Sequence, residues 1–155
     1  MTDPFQMKPV GMVRCSRSEA IDDAWDTEST RIELDASVFN DEALMGLDTF
    51  SHAEVIFVFD RVPDAKIVTG ARHPRGQTDW PKIGIFAQRG KNRPNRLGAT
   101  ICEILSVEGT VLHLKGLDAI DGTPVLDIKP VMSGFQPRGD IREPGWAAEI
   151  MATYW

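Results

Sequence analysis

The sequence predicts an all-β domain, a small closed or partly open β-barrel with short helices and long loops. Two observations predict it: short strand-like runs recur between turn-forming residues, and few segments carry helix-length periodicity. A third is the apolar run Val55, Ile56, Phe57, Val58 and Phe59. It is continuous rather than alternating, as expected of a strand covered on both faces. At 155 residues the chain suits a single domain, read here as 1–155.

Taken in order, residues 8–14 read as a first strand, opened by Pro9 and containing Gly11. Residues 17–25 are polar, a short helix or an irregular loop. Residues 30–34 alternate as a half-buried strand. Asn40, the run 41–45 and Gly46 spell a cap, a helical turn or two and a stop. The 55–59 strand follows, then a Pro-, Gly- and Arg-rich loop over 63–82; loops of that length in compact domains are often functional. Residues 83–88 read as another strand. Residues 97–105 and 110–114 form a hairpin around Glu108 and Gly109, and 124–129 is the last strand. The tail carries Trp146, Tyr154 and Trp155.

Composition excludes several classes. Hydrophobic residues at 42% and charged residues at 26% are ordinary globular values. No apolar run is long enough to span a membrane as a helix, and the start Met1-Thr2-Asp3-Pro4 lacks a signal-peptide pattern. Cys15 and Cys102 lie far apart with no CxxC, so a reduced, cytoplasmic protein without structural zinc is expected. The net charge of −6 hides an asymmetry. Within 72–96, Arg72, Arg75, Lys82, Arg89, Lys91, Arg93 and Arg96 face only Asp79, a local +6 against −12 elsewhere. Such a stretch can attract a polyanion, or it can be a solvated loop.

Familiar nucleotide and metal patterns fail. Residues 84–91 resemble a phosphate-binding loop but are one residue too long, and Asn92 stands where a magnesium-binding hydroxyl is required. No GxGxxG joins a strand to a helix, no nucleophile elbow is present, and His52, His73 and His113 share no ligand spacing, so no metal is expected. Two stretches remain. In GIFAQRGKNRPNRLG (84–98), a strand runs into a turn set by Pro94, with three arginines, a lysine and two asparagines leaving it. Arginine forks suit phosphate and carboxylate, and asparagine amides can pair with a purine edge. In LDAIDGTPVLDIKP (117–130), Asp121, Gly122, Thr123 and Pro124 make a tight turn. It is first of all a turn former, and it also exposes a carboxylate and a hydroxyl at one end of the sheet.

Together these two stretches resemble the signature pair of the TsaA-like family, whose members carry RPNPIG- and LDGTPVLDIKPY-like segments. The resemblance extends to GLDTFSH (46–52), the apolar strand ending at Asp60, and GMVR (11–14), so it covers nearly the whole chain. It implies a β-barrel methyltransferase using S-adenosylmethionine, acting on the exocyclic nitrogen of threonylcarbamoyl-adenosine beside the tRNA anticodon. It also implies a homodimer with the cofactor near the subunit interface. Cofactor contacts then fall on Asp60, Arg61, Arg89, the backbone around Ala99, Asp121, Gly122, Thr123 and Pro124. Arg75, Lys91, Arg93, Asn95 and Arg96 are the expected RNA-binding residues, within the basic 72–96 surface. No catalytic base is identified; Trp25 is a candidate for the sulfonium or for packing.

The chain departs from the family pattern at several positions. Gln88 replaces threonine, Gly90 serine, Arg96-Leu97 proline-isoleucine, and Val131 a tyrosine. Residues 17–27, a basic cofactor-side loop in relatives, are acidic here, and the sequence ends at Trp155 without the additional C-terminal domain of longer members. Two alternatives therefore stand beside the tRNA reading. One is methylation of a small molecule or another nucleic acid, and the other a barrel that binds the cofactor or RNA without catalysis.

Overall fold

The computed structural model describes residues 3–155; the reading of the chain start, where it rests on Met1 and Thr2, lies outside them. Six strands close an antiparallel barrel in the order β1-β2-β7-β6-β3-β8. They are β1 (Gly11–Arg14), β2 (Ser29–Leu34), β3 (His52–Val58), β6 (Leu97–Glu108), β7 (Val111–Lys115) and β8 (Pro124–Pro130). Two short strands, β4 (Ala71–Arg72) and β5 (Ile83–Gly84), form a separate ribbon inside the long loop. A single α-helix among the described residues, α1 (Gly145–Met151), belongs to the tail; it is too short to cross a membrane.

Alternation fills the interior. Val13, Ile32, Val55, Phe57, Cys102, Leu112, Leu114 and Val125 point inward and are essentially inaccessible. At ~25 cal/mol per Å² of buried apolar surface, each such side chain contributes about 1.5–3 kcal/mol. Two glycines permit the closest backbone approaches. A Cβ on Gly98 would lie 2.5 Å from the Phe57 ring, and one on Gly11 would lie 2.5 Å from the Glu33 carbonyl. Closure runs through Gly11↔Val125 and Met12↔Pro124, extended by Val13 N–H to the Thr123 carbonyl at 2.9 Å.

The structure corrects three readings. The first strand begins at Gly11 rather than residue 8. β3 is not covered on both faces: Ala53, Val55 and Phe57 are buried, while Glu54, Ile56 and Val58 are half-exposed on the outer wall. Only Ile83 and Gly84 of the expected 83–88 strand pair; Ile85, Phe86 and Ala87 wind into a 3-10 turn, leaving Phe86 77% exposed. That turn lets Gln88 fold inward, its amide donating to the carbonyls of Arg72 (3.0 Å) and Ile83 (2.9 Å). The tail forms α1, which the sequence reading did not anticipate. The Asn40 cap and Gly46 stop match: the Asn40 side chain accepts from Glu42 N–H at 3.0 Å, and Gly46 has φ 86°.

Candidate functional site

The site grows from a mismatch in strand length. β6 has twelve residues and β7 five. The β6–β7 ladder starts at Glu103↔Lys115, whereas β6 pairs with β3 from Leu97 to Glu103. Residues 97–102 therefore have a strand on one side only. Beyond β7 the chain runs through Gly116 to Ile120 beside this open edge without a ladder, touching it through side chains. Cys102 Sγ contacts the Gly116 carbonyl at 3.6 Å, and Thr100 Oγ1 donates to Asp118 Oδ1 at 2.5 Å. Open-edge carbonyls are unsatisfied acceptors that side chains or a ligand must meet. Arg89 meets one, its guanidinium donating to the Ala99 carbonyl at 2.5 Å.

Three residues beyond Asp118 lies the turn of Asp121, Gly122, Thr123 and Pro124. It is knitted into the barrel rim: Asp121 N–H donates to the Arg17 carbonyl (2.7 Å) and Gly122 N–H to the Val13 carbonyl (2.8 Å). Gly122 has φ 82°, a conformation that favours glycine. The Thr123 hydroxyl is buried and donates to the Ile120 carbonyl at 2.7 Å, so it shapes the turn rather than facing a ligand. Pro124 is taken up by strand pairing with Met12. The Asp121 carboxylate accepts from Cys15 N–H at 3.2 Å and lies 3.9 Å from the Arg14 guanidinium. Arg61, exposed, spans the rim and donates to the carbonyls of Ser18 (3.1 Å) and Asp121 (2.9 Å). Arg61 is thus brought onto the 121–124 turn, and Arg89 onto Ala99. The Thr100–Asp118 contact, next to Ala99 and three residues from Asp121, joins the two into one strip. Asp60 is exposed beside Arg61, with no side-chain hydrogen bond or ion pair among the described residues.

The acidic 17–28 loop forms one wall of the strip. Arg17 is its hub, donating to the carbonyls of Asp23 and Ala24 at 2.8 Å each, pairing with Glu28 at 3.2 Å, and stacking over Trp25 at 4.0 Å. Trp25 is buried, so it packs the loop. The tail docks here too. Ala24 and Trp25 N–H groups donate to the carbonyls of Thr153 and Tyr154, and the Tyr154 hydroxyl donates to Asp118 Oδ2. Burial first, and then the Asp118 charge, push the Tyr154 phenol well above its ordinary range, so it stays a donor. Trp80 Nε1 reaches Glu149 at 2.7 Å, tying the long loop to the tail.

The basic segment divides into structural and free charges. Arg75 pairs with Asp23 at 3.0 Å and Arg96 with Asp64, while Arg93 donates to the Gln88 carbonyl at 2.6 Å. Lys82, Arg89, Lys91, Arg93 and Arg72 have no carboxylate partner among the described residues. Asn95 and Arg96 have φ 62° and 53°. Proline, the family's residue at 96, cannot adopt that angle, so this turn is built differently. Arg96 is held in it by its bonds to Asp64 and to the Val62 carbonyl at 2.8 Å.

Sequence reasoning missed Asp118, Thr100, Tyr154 and Arg17. Asp118 and Thr100 carried a signal, lying within or beside the two motifs; Tyr154 carried none. Two concavities, of about 340 and 480 Å³, lie elsewhere, around the turn of residues 41–48, and none of the residues above lines them. The strip is open surface. No group of three or more His, Cys, Asp or Glu is placed to hold a metal among the described residues.

The family model for the tRNA-methyltransferase O N-terminal domain matches residues 21–136. A tRNA (adenine(37)-N6)-methyltransferase of Homo sapiens is 38% identical over 109 residues, 69% of this chain and 24% of that protein. A probable S-adenosyl-L-methionine-binding protein of Pyrococcus abyssi is 31% identical over 143 residues, 90% of this chain and 74% of that protein. The crystal structure of TrmO from P. aeruginosa superposes with a TM-score of 0.75 at 27% identity, covering 94% of this chain and 63% of that one. The chain spans about a quarter of the length of the mammalian relatives it matches.

Proposed function

Because this chain belongs to the tRNA-methyltransferase O N-terminal domain family, we propose that it is an S-adenosylmethionine-dependent methyltransferase acting on the exocyclic nitrogen of threonylcarbamoyl-adenosine beside the tRNA anticodon. The observation that carries the reading is the strip along the open half of β6. It presents two guanidiniums, from Arg89 and Arg61, carboxylates from Asp118 and Asp121, and the backbone edge of residues 97–102 that no strand covers. This donor set fits a ligand carrying a carboxylate, an ammonium and a purine. Arg89 suits the carboxylate, and the carbonyls around Ala99 suit an exocyclic amine. Asp60, Gly122, Thr123 and Pro124 complete the rim, Gly122 by letting Arg61 lie 3.4 Å from where a side chain would begin.

The cofactor supplies a methyl group whose bond to sulfur breaks as its bond to nitrogen forms, the sulfur keeping the electron pair and the nitrogen releasing a proton. The chain's own part is to hold the reactants in line and keep water out, since positioning contributes much of such a rate. One chain covers a ligand on this open strip from one side. A homodimer that covers it from the other side completes our reading, in the cytoplasm where tRNA is modified. Half-exposed Ile56 and Val58 and exposed Leu97, Ile101 and Leu105 lie on the outer wall beside it. In this reading Lys82, Lys91 and Arg93, which have no carboxylate partner among the described residues, make up the tRNA-facing surface together with Arg75, Asn95 and Arg96.

Labelled S-adenosylmethionine given with total tRNA should mark tRNA from cells that make the threonylcarbamoyl modification and leave tRNA from cells lacking it blank. Equal labelling of both pools overturns the acceptor assignment; label passing to small molecules alone moves the activity to another substrate. The double variant Lys82→Glu, Lys91→Glu should weaken tRNA binding about tenfold or more and flatten its salt dependence by about two contacts. Its cofactor affinity should not change, as measured by calorimetry.

A further inference from the structure

Asp118 and Asp121 are the two carboxylates of the strip, and their environments differ. Asp121 has a cation beside it, Arg14 at 3.9 Å, and a backbone donor from Cys15. Asp118 is half-buried and takes both of its hydrogen bonds from neutral hydroxyls, Thr100 on one oxygen and Tyr154 on the other. No lysine, arginine or histidine pairs with it among the described residues. A carboxylate so held keeps its orientation, and no cation offsets it in a place where solvent screens it incompletely. The buried Cys102 thiol is pushed well above its ordinary range, by burial first and by Asp118 second. A thiol so raised offers Asp118 no charge of its own.

We infer that Asp118, fixed between Thr100 and Tyr154, binds a cationic group of the cofactor, and that the C-terminal segment is part of that site through Tyr154. This rests on the cofactor reading above and shifts its principal carboxylate from Asp121 to Asp118. The arrangement has a second consequence: the segment ending in Thr153, Tyr154 and Trp155 links the cation site to the Trp25 loop through its backbone bonds to Ala24 and Trp25.

The test compares two ligands by calorimetry on the full chain: S-adenosylmethionine, which carries sulfonium and ammonium, and 5′-methylthioadenosine, which keeps the nucleoside and lacks both cations. Asp118→Asn should weaken the first about thirtyfold, the scale of a lost charge-assisted bond, and the second less than about twofold. Tyr154→Phe removes one hydroxyl and keeps the ring. It should weaken S-adenosylmethionine about fivefold with the same selectivity, at a melting temperature near that of the parent. Equal losses for both ligands, or no loss for either, overturn the inference, and Tyr154→Phe keeps it testable if Asp118→Asn fails to fold. A parent protein that binds neither ligand overturns the cofactor reading itself, a result distinct from an unselective variant.

Discussion

Replacing Arg17 with alanine is expected to lower the melting temperature by roughly 6–12 °C, about 2–4 kcal/mol, and to release the Trp25 loop. The guanidinium closes the loop on itself through the carbonyls of Asp23 and Ala24, stacks on Trp25 and pairs with Glu28. The Arg17 and Glu28 side chains are only 10% and 13% exposed. Removing one therefore strands a mostly buried charge and several acceptors, which costs more than an exposed ion pair is worth. The loss should depend on pH. The Ser16 hydroxyl first, and then Arg17, hold the Glu28 carboxyl below its ordinary 4.5 against the opposing effect of burial. A carboxyl lowered in the folded state stabilises fully above its unfolded value and loses that contribution as pH falls through the folded one. The gap between parent and variant should thus be full at neutral pH and narrow as the pH falls below the ordinary 4.5. Thermal melts at both pH values check it; a gap that stays constant in acid would show that the Glu28 pair contributes nothing.

This hub explains which parts of the molecule could be read from sequence. Turn chemistry is local, so Asn40 with Gly46 and the Asp-Gly turn at 121–122 were legible in a few residues each. Strand runs were legible where alternation or apolar content was strong, as in 30–34 and 55–59. The 83–88 run failed because an apolar stretch with a central phenylalanine carries the same local preference whether it pairs or turns. What decides is Gln88, whose amide finds two carbonyls supplied by Arg72 and Ile83. The open edge of β6 was half legible: the hairpin arms read at 97–105 and 110–114 were already unequal. Which groups meet at that edge was not, because Asp118 and Tyr154 are joined across 36 residues and Arg61 and Asp121 across 60. Pairings at that range follow from how the barrel closes, and no local period encodes them. The acidic character of 17–27 is a case in point. It pointed toward another methyl acceptor, whereas one of its four acids, Asp23, is taken up by Arg75 inside the chain, as Glu28 just beyond it is by Arg17.

Arg61→Ala should weaken S-adenosylmethionine binding by about 10–100-fold while costing stability only about 1 kcal/mol. The two effects separate because the side chain is exposed and its partners are rim carbonyls that water can satisfy in its absence. Its bonds to Ser18 and Asp121 fix the spacing between the 17–28 loop and the 121–124 turn, the two walls a ligand on the strip must touch. They use only part of the guanidinium's five donors, leaving the rest to face a bound molecule. Arg61→Lys tests whether charge alone suffices. A lysine keeps the positive charge but is a flexible point donor in place of a planar fork, so it should recover only a small part of the affinity. Calorimetry on the three proteins, with melting curves to confirm that each is folded, gives the result. Full recovery by lysine would mean that Arg61 acts through its charge and that the rim needs no bridge. Unchanged affinity in Arg61→Ala would place the cofactor away from this rim, leaving Arg61 as a strut between loops.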